Sequence, residues 1–313
     1  MVNRATKPKR FDRNLIVIGA GSAGLVSAYI AAMVQAKVTL IEAHQMGGDC
    51  LNTGCVPSKA LIKSARVAHL VSEAARFGIK TSAPTVDFQA VMQRIREVIA
   101  AIEPHDSVER FTGLGVECVQ GYARFIDPWT VEIDGNSRLT AQSFIIATGA
   151  APLIPPLPGV ENSGYLTSET LWEEFAKRPA PPERLVILGG GPIGCELAQS
   201  FQRLGAQVTI VEMAERLLLK EDPAAAALVT ARLHSDGVEI LTGHKAVRFE
   251  TNKCLMVEGP EGERRLAFED VIIAVGRKPR IAGFGLEELG LVADGKLPVD
   301  GFLRTNIPHI LCA

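Results

Sequence analysis

The sequence has no excess of charge of either sign, since 33 lysines and arginines stand against 35 aspartates and glutamates in 313 residues. This balance argues against nucleic acid or an anionic membrane surface as the main partner. Cysteine is also scarce, with six in the whole chain, which excludes the dense disulfide scaffold of small secreted domains. A chain of this length is expected to form about two domains.

One long uncharged run complicates this picture. Residues 14–36 carry no charge and follow a basic segment, residues 1–13, an arrangement typical of a signal peptide or a membrane span. Three glycines interrupt the run and, with the repeat described next, favour a soluble, cytoplasmic protein without membrane contact. We expect residues 1–13 to be a disordered basic tail or part of an upstream linker.

An internal repeat is the decisive feature. Residues 15–24 (LIVIGAGSAG) recur as residues 185–194 (LVILGGGPIG), and residues 36–42 recur as residues 206–212, each 170 positions later. Each copy is typical of a buried strand, a Gly-x-Gly-x-x-Gly turn, a helix and a second strand that ends in glutamate. The sequence therefore predicts an α/β protein with two Rossmann-like dinucleotide-binding domains.

The residue types in each copy suit a dinucleotide. The first glycine makes the tight turn, the second lets the backbone approach a pyrophosphate, and the third lets the helix pack on the strand. The helix N-terminus supplies amide donors, and the glutamate accepts from ribose hydroxyls. One such turn is a weak signal, because turns without ligands share it, but two copies with glutamate at the same distance are a strong one. The predicted residues are Gly19, Gly21, Ser22, Ala23, Gly24, Glu42, Gly189, Gly191, Pro192, Ile193, Gly194 and Glu212.

Residues 47–59 (GGDCLNTGCVPSK) place two cysteines, Cys50 and Cys55, with four residues between them. That spacing fits neither a zinc knuckle nor a thioredoxin-type C-x-x-C motif, and we assign no metal site. The segment resembles the redox-active site of the pyridine nucleotide–disulfide oxidoreductases, which include dihydrolipoamide dehydrogenase, glutathione reductase and mercuric reductase. The resemblance covers residues 12–313.

The resemblance implies that the first fold binds FAD and that the second fold binds NAD. It implies that Cys55 lies against the flavin as a thiolate, that Cys50 attacks the substrate, and that Lys59 pairs with Glu196 beside the flavin. Glu212 favours NADH over NADPH, although the nearby Arg203, Arg216 and Lys220 would weaken that preference. The remaining cofactor contacts implied by the family pattern are Gly47, Gly48, Gly121, Ala123, Thr148, Gly149, Val247 and Gly276.

The proline-rich residues 151–159 mark the best domain boundary. We expect an FAD-binding domain over residues 14–152 and 277–313, with an NAD-binding domain over residues 153–276 inserted into it. A helix is predicted from Asp87, its N-cap, to Ile102, because apolar residues recur there at helical spacing. We expect its apolar face to pack on the first domain.

Two features depart from the family pattern. Residues 305–313 resemble the third flavin element, after which the family continues with an interface domain that carries the dimer contact and a His–Glu acid–base pair. The resemblance thus implies that this sequence is the first two thirds of a homodimeric enzyme.

Asp49 replaces the usual threonine, and a carboxylate beside Cys50 disfavours its thiolate and repels anions. We therefore hypothesise that glutathione disulfide is a poor substrate.

The sequence predicts a flavoprotein disulfide reductase, in which hydride passes from NADH through FAD to a Cys50–Cys55 disulfide. The final acceptor would be a small or protein-bound disulfide of the dihydrolipoamide type, or Hg(II), and the visible motifs suit both. An alternative of another class is a truncated FAD/NAD-binding module, or a diaphorase that reduces quinones or dyes but no disulfide. A purely structural Cys50–Cys55 disulfide would close too short a loop to stabilise much.

Overall fold

The computed structural model describes residues 6–313. The strands in this part of the chain are β1 (Arg13–Ile18), β2 (Val38–Glu42), β3 (Val116–Gln120), β4 (Ala123–Asp127), β5 (Thr130–Ile133), β6 (Ser137–Ile146), β7 (Ala150–Pro152), β8 (Arg184–Leu188), β9 (Gln207–Val211), β10 (Glu239–Leu241), β11 (Lys245–Glu250), β12 (Cys254–Gly259), β13 (Gly262–Ala267), β14 (Asp270–Ile273), β15 (Arg277–Pro279) and β16 (Ile310–Cys312). The helices are α1 (Ser22–Met33), α2 (Gly48–Asn52), α3 (Cys55–Ser72), α4 (Phe88–Ile102), α5 (Val108–Gly113), α6 (Leu171–Ala176), α7 (Pro192–Arg203) and α8 (Pro223–Ser235).

Contacts between residues divide the chain into two units. The first unit contains the residues up to Asn52, then Ala100–Ala151 and Pro279–Ala313, and the second contains Thr53–Ile99 and Pro152–Lys278. Each unit is built on a parallel sheet, which confirms the α/β class expected from the repeat. The division differs from the sequence-based boundaries in residues 53–99, which cluster with the second unit, and at residues 152, 277 and 278, which do the same.

The first unit has a parallel sheet in the order β3-β2-β1-β6-β16. In register, Ile16 lies between Thr39 and Phe144, and Phe144 also pairs with Ile310. The N-terminal half of β6 instead pairs antiparallel with β5, which pairs with β4. The strands β1 and β2 are apolar and buried, as parallel strands covered on both faces are. Their carboxyl ends meet at one edge of the sheet, and the first glycine turn lies there.

The second unit repeats this plan with a parallel sheet in the order β10-β9-β8-β14. Val186 pairs with Thr209, which is the first unit's pairing of Ile16 with Thr39 moved by 170 positions. A separate antiparallel sheet in the order β11-β12-β13 follows α8 in the chain. The duplicated strands therefore carry the second glycine turn to the carboxyl edge of their own sheet.

Helix α4 begins at the predicted position and packs in the core of the second unit. Asp87 caps it by accepting a hydrogen bond from the Ala90 N–H at 2.9 Å. Its apolar face enters the core of the second unit, where the Phe88 ring lies 6.3 Å from that of Phe175 and 6.4 Å from that of Phe201. The expected partner was the first domain, residues 14–152 and 277–313. The core cluster that contains Phe88 includes Leu61 of that range together with Phe175 and Phe201, which lie outside it.

The uncharged run of residues 14–36 folds as β1, the glycine turn and α1. None of the helices in the described part of the chain is long and apolar enough to cross a membrane. Residues 1–5 of the predicted basic tail lie outside the described residues. The following residues make specific contacts instead of being disordered: Asp12 accepts from the Thr140 N–H at 2.9 Å and hydroxyl at 2.8 Å, and the Phe11 ring lies 5.6 Å from Trp129.

Candidate functional site

The two glycine turns have the same local geometry. A Cβ on Gly24 would lie 1.8 Å from the Gly19 carbonyl oxygen, and a Cβ on Gly194 would lie 2.0 Å from that of Gly189. Only glycine allows the helix to approach its strand this closely. Helices α1 and α7 begin directly after the turn with no side-chain cap, so their first N–H groups can receive an anion. The predicted Ser22, Ala23, Pro192 and Ile193 lie in these first turns.

The glutamates at the ends of β2 and β9 are held in matching positions. The Glu42 carboxylate accepts hydrogen bonds from the backbone N–H of Ala20 at 2.6 Å and of His44 at 2.7 Å. The N–H groups 170 positions later make the same bonds to Glu212, again at 2.6 and 2.7 Å. Each carboxylate is thereby fixed beside its glycine turn, where the ribose of a bound dinucleotide would lie.

A cavity of about 560 Å³ opens beside the first turn. It brings together five residues predicted from sequence, Gly19, Glu42, Gly121, Ala123 and Thr148. Two aromatic residues that sequence reasoning missed complete one wall: the rings of His44 and Tyr122 meet edge to face at 5.5 Å, and the Tyr122 hydroxyl lies 3.3 Å from Nε2 of His44. In the sequence, only their positions shortly after the predicted Glu42 and Gly121 could have indicated that these two residues line the cavity.

The loop that carries Cys50 is fitted against the first turn. Gly47 donates its N–H to the Ala20 carbonyl at 2.9 Å. Gly48 has a φ of +54°, and a Cβ there would lie 2.6 Å from the Gly21 Cα. Gly48 is therefore needed for this close approach to Gly21, and a Cβ on Gly47 would instead lie 2.4 Å from the Leu51 side chain. Helix α2 starts at Gly48 and contains Cys50.

In the second unit, two cavities of about 380 and 360 Å³ lie along the second turn and share Gly189 and Glu212. The larger one is also lined by the predicted Gly191, Pro192, Ile193 and Gly276. The smaller one is lined by Ala246, whereas the predicted Val247 does not line it. The family pattern implies a backbone contact at this point of the chain, and the register of β11 shifts between Ala246 and Arg248, on either side of Val247.

Cys55 is the first residue of α3, and Lys59 follows one turn later. The Lys59 ammonium lies 2.7 Å from both carboxylate oxygens of Glu196 on α7, so the second unit contains the ion pair expected from the resemblance. Sequence reasoning missed Trp172, whose indole N–H is shared between the carbonyls of Thr53 at 2.8 Å and Ser168 at 2.9 Å. Trp172 thus fixes the chain just before Cys55.

The structure separates reactive from buried cysteines. All six lie in the described residues: Cys195 and Cys254 are buried, Cys50, Cys118 and Cys312 are half-buried, and Cys55 is exposed. Burial raises the pKa of Cys195 to about 11 and also raises the pKa of Cys118 and Cys312. These three thiols therefore stay protonated at neutral pH, whereas Cys55 is open to solvent.

Comparison with known proteins agrees with this arrangement. The sequence matches the pyridine nucleotide-disulphide oxidoreductase family over residues 13–313. The chain belongs to this family. Curated members similar to it include a mercuric reductase of Bacillus cereus, 35% identical over 97% of this chain and 48% of the relative. A dihydrolipoyl dehydrogenase of Thermus scotoductus is 34% identical over 96% of this chain and 65% of the relative.

Solved structures of the same family share the fold. The HOCl-induced flavoprotein disulfide reductase RclA from Escherichia coli superimposes with a TM-score of 0.80 at 29% identity. The match covers 96% of this chain and 65% of the RclA chain. The chain therefore spans about half to two thirds of the length of these family members.

Proposed function

We propose that this chain binds FAD on its first unit and NADH on its second, and passes electrons to a Cys50–Cys55 redox pair that reduces an external acceptor. The single observation that carries the proposal is the duplicated turn. Both copies combine a glycine that admits close helix packing with a glutamate held by the same two backbone N–H groups. Family membership supports a disulfide reductase over other dinucleotide-binding proteins.

The residues of the first unit fit FAD. A diphosphate would meet the N-terminus of α1 beside the first glycine turn, and Glu42 would bind the ribose. The His44 and Tyr122 rings supply an aromatic wall for the adenine in the same cavity. When bound, FAD would supply two-electron transfer between a nicotinamide and the cysteine pair.

The residues of the second unit favour NADH over NADPH. Glu212 would bind the ribose of the nucleotide, and two of the three nearby cations bind other groups of the protein. The Arg203 guanidinium binds the buried Asp236 carboxylate at 2.8 Å. The Arg216 guanidinium donates to the carbonyls of its own loop, including that of Leu218 at 2.8 Å. Neither arginine is therefore directed at a 2′-phosphate, which leaves Lys220 at the cavity.

The cysteine chemistry divides between two thiols. Cys55, at the start of α3, lies one turn before Lys59, whose charge is balanced by Glu196. We assign Cys55 as the thiol that receives electrons and Cys50 as the thiol that exchanges with the acceptor. Proteins of 34–35% identity are named mercuric reductase and dihydrolipoyl dehydrogenase, so we propose a dihydrolipoamide-type disulfide or Hg(II) as the acceptor.

Purified chain loaded with FAD provides the test. NADH oxidation is followed with lipoamide, with Hg(II) and with a quinone as alternative acceptors, in wild type and in Cys55→Ala. We expect Cys55→Ala to abolish the first two activities and to retain quinone reduction. Quinone reduction alone in the wild type would identify a diaphorase, and a chain that binds neither FAD nor NADH would overturn the proposal.

A further inference from the structure

Asp49 and Arg280 form an ion pair next to Cys50 in the first unit. The Arg280 guanidinium lies 3.8 Å from the Asp49 carboxylate, and Asp49 immediately precedes Cys50 in α2. Consecutive Cα atoms are about 3.8 Å apart, which places the ion pair beside Cys50, within the range of about 8 Å over which charges act at physiological salt. The negative charge of Asp49 near Cys50 is therefore accompanied by the positive charge of Arg280.

The backbone that carries Asp49 is fixed. Helix α2 starts one residue earlier, at Gly48, whose close contact with Gly21 sets its position. The Asn52 side chain donates to the carbonyls of Met46 at 3.0 Å and Gly48 at 2.9 Å, which ties the end of α2 to its beginning. The Asp49 side chain thus starts from a defined point beside the first glycine turn.

The backbone that carries Arg280 is fixed as well. Its N–H donates to the Gly149 carbonyl at 2.9 Å, and its carbonyl accepts from the Thr148 hydroxyl at 2.6 Å. The Asp49 and Arg280 side chains remain 38% and 43% exposed, and a pair this exposed contributes little to stability. The geometry therefore suits control of charge at Cys50 better than support of the fold.

We propose that Arg280 is a specificity-determining residue that neutralises Asp49, so that Cys50 accepts anionic disulfides as well as neutral ones. The proposal rests on the exchange role proposed for Cys50. Considered alone, Asp49 predicted poor reaction with anionic substrates such as glutathione disulfide. The pairing with Arg280 removes the reason for that expectation and widens the substrate class to disulfides that carry carboxylates.

The step affected is thiol–disulfide exchange. The Cys50 thiolate attacks one sulfur of the external disulfide, a new sulfur–sulfur bond forms, the external bond breaks, and the released thiolate takes a proton from water. Cys50 is oxidised to the disulfide level while one external sulfur is reduced. No flavin or nicotinamide takes part, so the step can be measured apart from NADH oxidation.

The test compares three small symmetrical disulfides that carry charges of +2, 0 and −2: cystamine, 2-hydroxyethyl disulfide and 3,3′-dithiodipropionate. The full chain carries Cys55→Ser so that the mixed disulfide at Cys50 persists and can be quantified by peptide mass spectrometry. In water, a unit charge about 7 Å from a charge on the reagent changes the rate by about threefold. Only the charged end on the attacked half of each reagent lies near the Cys50 sulfur, and it differs by two charges between cystamine and dithiodipropionate. The ratio of the cystamine rate to the dithiodipropionate rate should therefore respond by about tenfold.

We expect Arg280→Gln to raise this ratio about tenfold, Asp49→Asn to lower it about tenfold, and the double variant to restore it. Arg280→Lys should keep the starting ratio, and 1 M salt should abolish the differences because the Debye length falls to about 3 Å. The control is Lys37→Gln, which removes an exposed positive charge at the opposite end of β2. An unchanged ratio in Arg280→Gln, or an equal change in Lys37→Gln, overturns the proposal. Either result leaves the NADH-dependent function to be judged by its own assay.

Discussion

Replacing Gly191 by alanine separates ligand contact from folding in the second turn. Gly191 has φ −75° and ψ −179°, which alanine adopts without strain. Its Cβ would meet no heavy atom within 4 Å, chain neighbours aside, in the described part of the protein. Alanine in place of glycine at such a position stabilises by about 0.4–1 kcal/mol, because the unfolded chain loses freedom. We therefore expect the variant to unfold in urea at the wild-type concentration or slightly above it.

The same methyl group would stand where the backbone is expected to meet the diphosphate of NADH. Overfilling a close contact costs about 1–3 kcal/mol, which corresponds to roughly 5- to 150-fold weaker binding. Calorimetric titration with NADH measures this loss in wild type and variant. FAD binding, which we assign to the first unit, should not change and serves as the internal control.

The matched variant is Gly194→Ala in the same turn. Its Cβ would lie 2.0 Å from the Gly189 carbonyl oxygen, so the helix or the strand must move, and we expect a loss of stability of more than about 3 kcal/mol. Wild-type NADH affinity in a fully folded Gly191→Ala would refute the proposed position of the diphosphate. A large loss of stability in Gly191→Ala would refute the conclusion that a methyl group at this position meets no other atom of the protein.

Three further predictions concern the second unit. Because the Lys59 and Glu196 side chains are 60% and 38% exposed, Lys59→Met should change the free energy of unfolding by less than about 1 kcal/mol; lipoamide reduction should nevertheless fall more than about tenfold, and parallel loss of both in urea melts and assays would contradict a catalytic role. Trp172→Phe leaves the Thr53 carbonyl without its indole donor, which should cost about 1–3 kcal/mol in urea melts, and an unchanged midpoint would show that the bond is dispensable. Burial raises the pKa of Cys195 to about 11 from an ordinary value of 9.0. The folded chain therefore keeps this proton between pH 9 and 11 while the unfolded chain loses it, so stability should fall with rising pH in that window, and Cys195→Ala should reduce that fall in urea titrations.

The duplicated parts of the fold were predictable because they depend on local spacing. A strand, a glycine turn and a glutamate occupy fixed positions in the chain, and the same residues make the same bonds in both units, as Glu42 and Glu212 show. The partner of α4 was not predictable in this way. Its period identified the buried face, but the choice between two apolar cores depends on the aromatic cluster around Phe201, which lies more than a hundred residues away in the chain.

Side chains that act through long-range contacts escaped prediction for the same reason. Trp172 donates a hydrogen bond to the Thr53 carbonyl just before α3, and no local sequence pattern predicts that a tryptophan will bind a distant loop.

Asp49 shows why the charge of one residue does not determine the electrostatics of a site. From the sequence, its carboxylate beside Cys50 implied repulsion of anions. In the structure, its ion-pair partner is Arg280, which is distant in the chain and is placed by hydrogen bonds to Thr148 and Gly149. Lys59 and Glu196 form the corresponding pair in the second unit, again from distant positions. Asp49 and Lys59, the charged residues near Cys50 and Cys55 in the chain, thus each have a partner of opposite sign. In our proposal, the charge of the acceptor affects the rate strongly only when one partner is removed, as in Arg280→Gln.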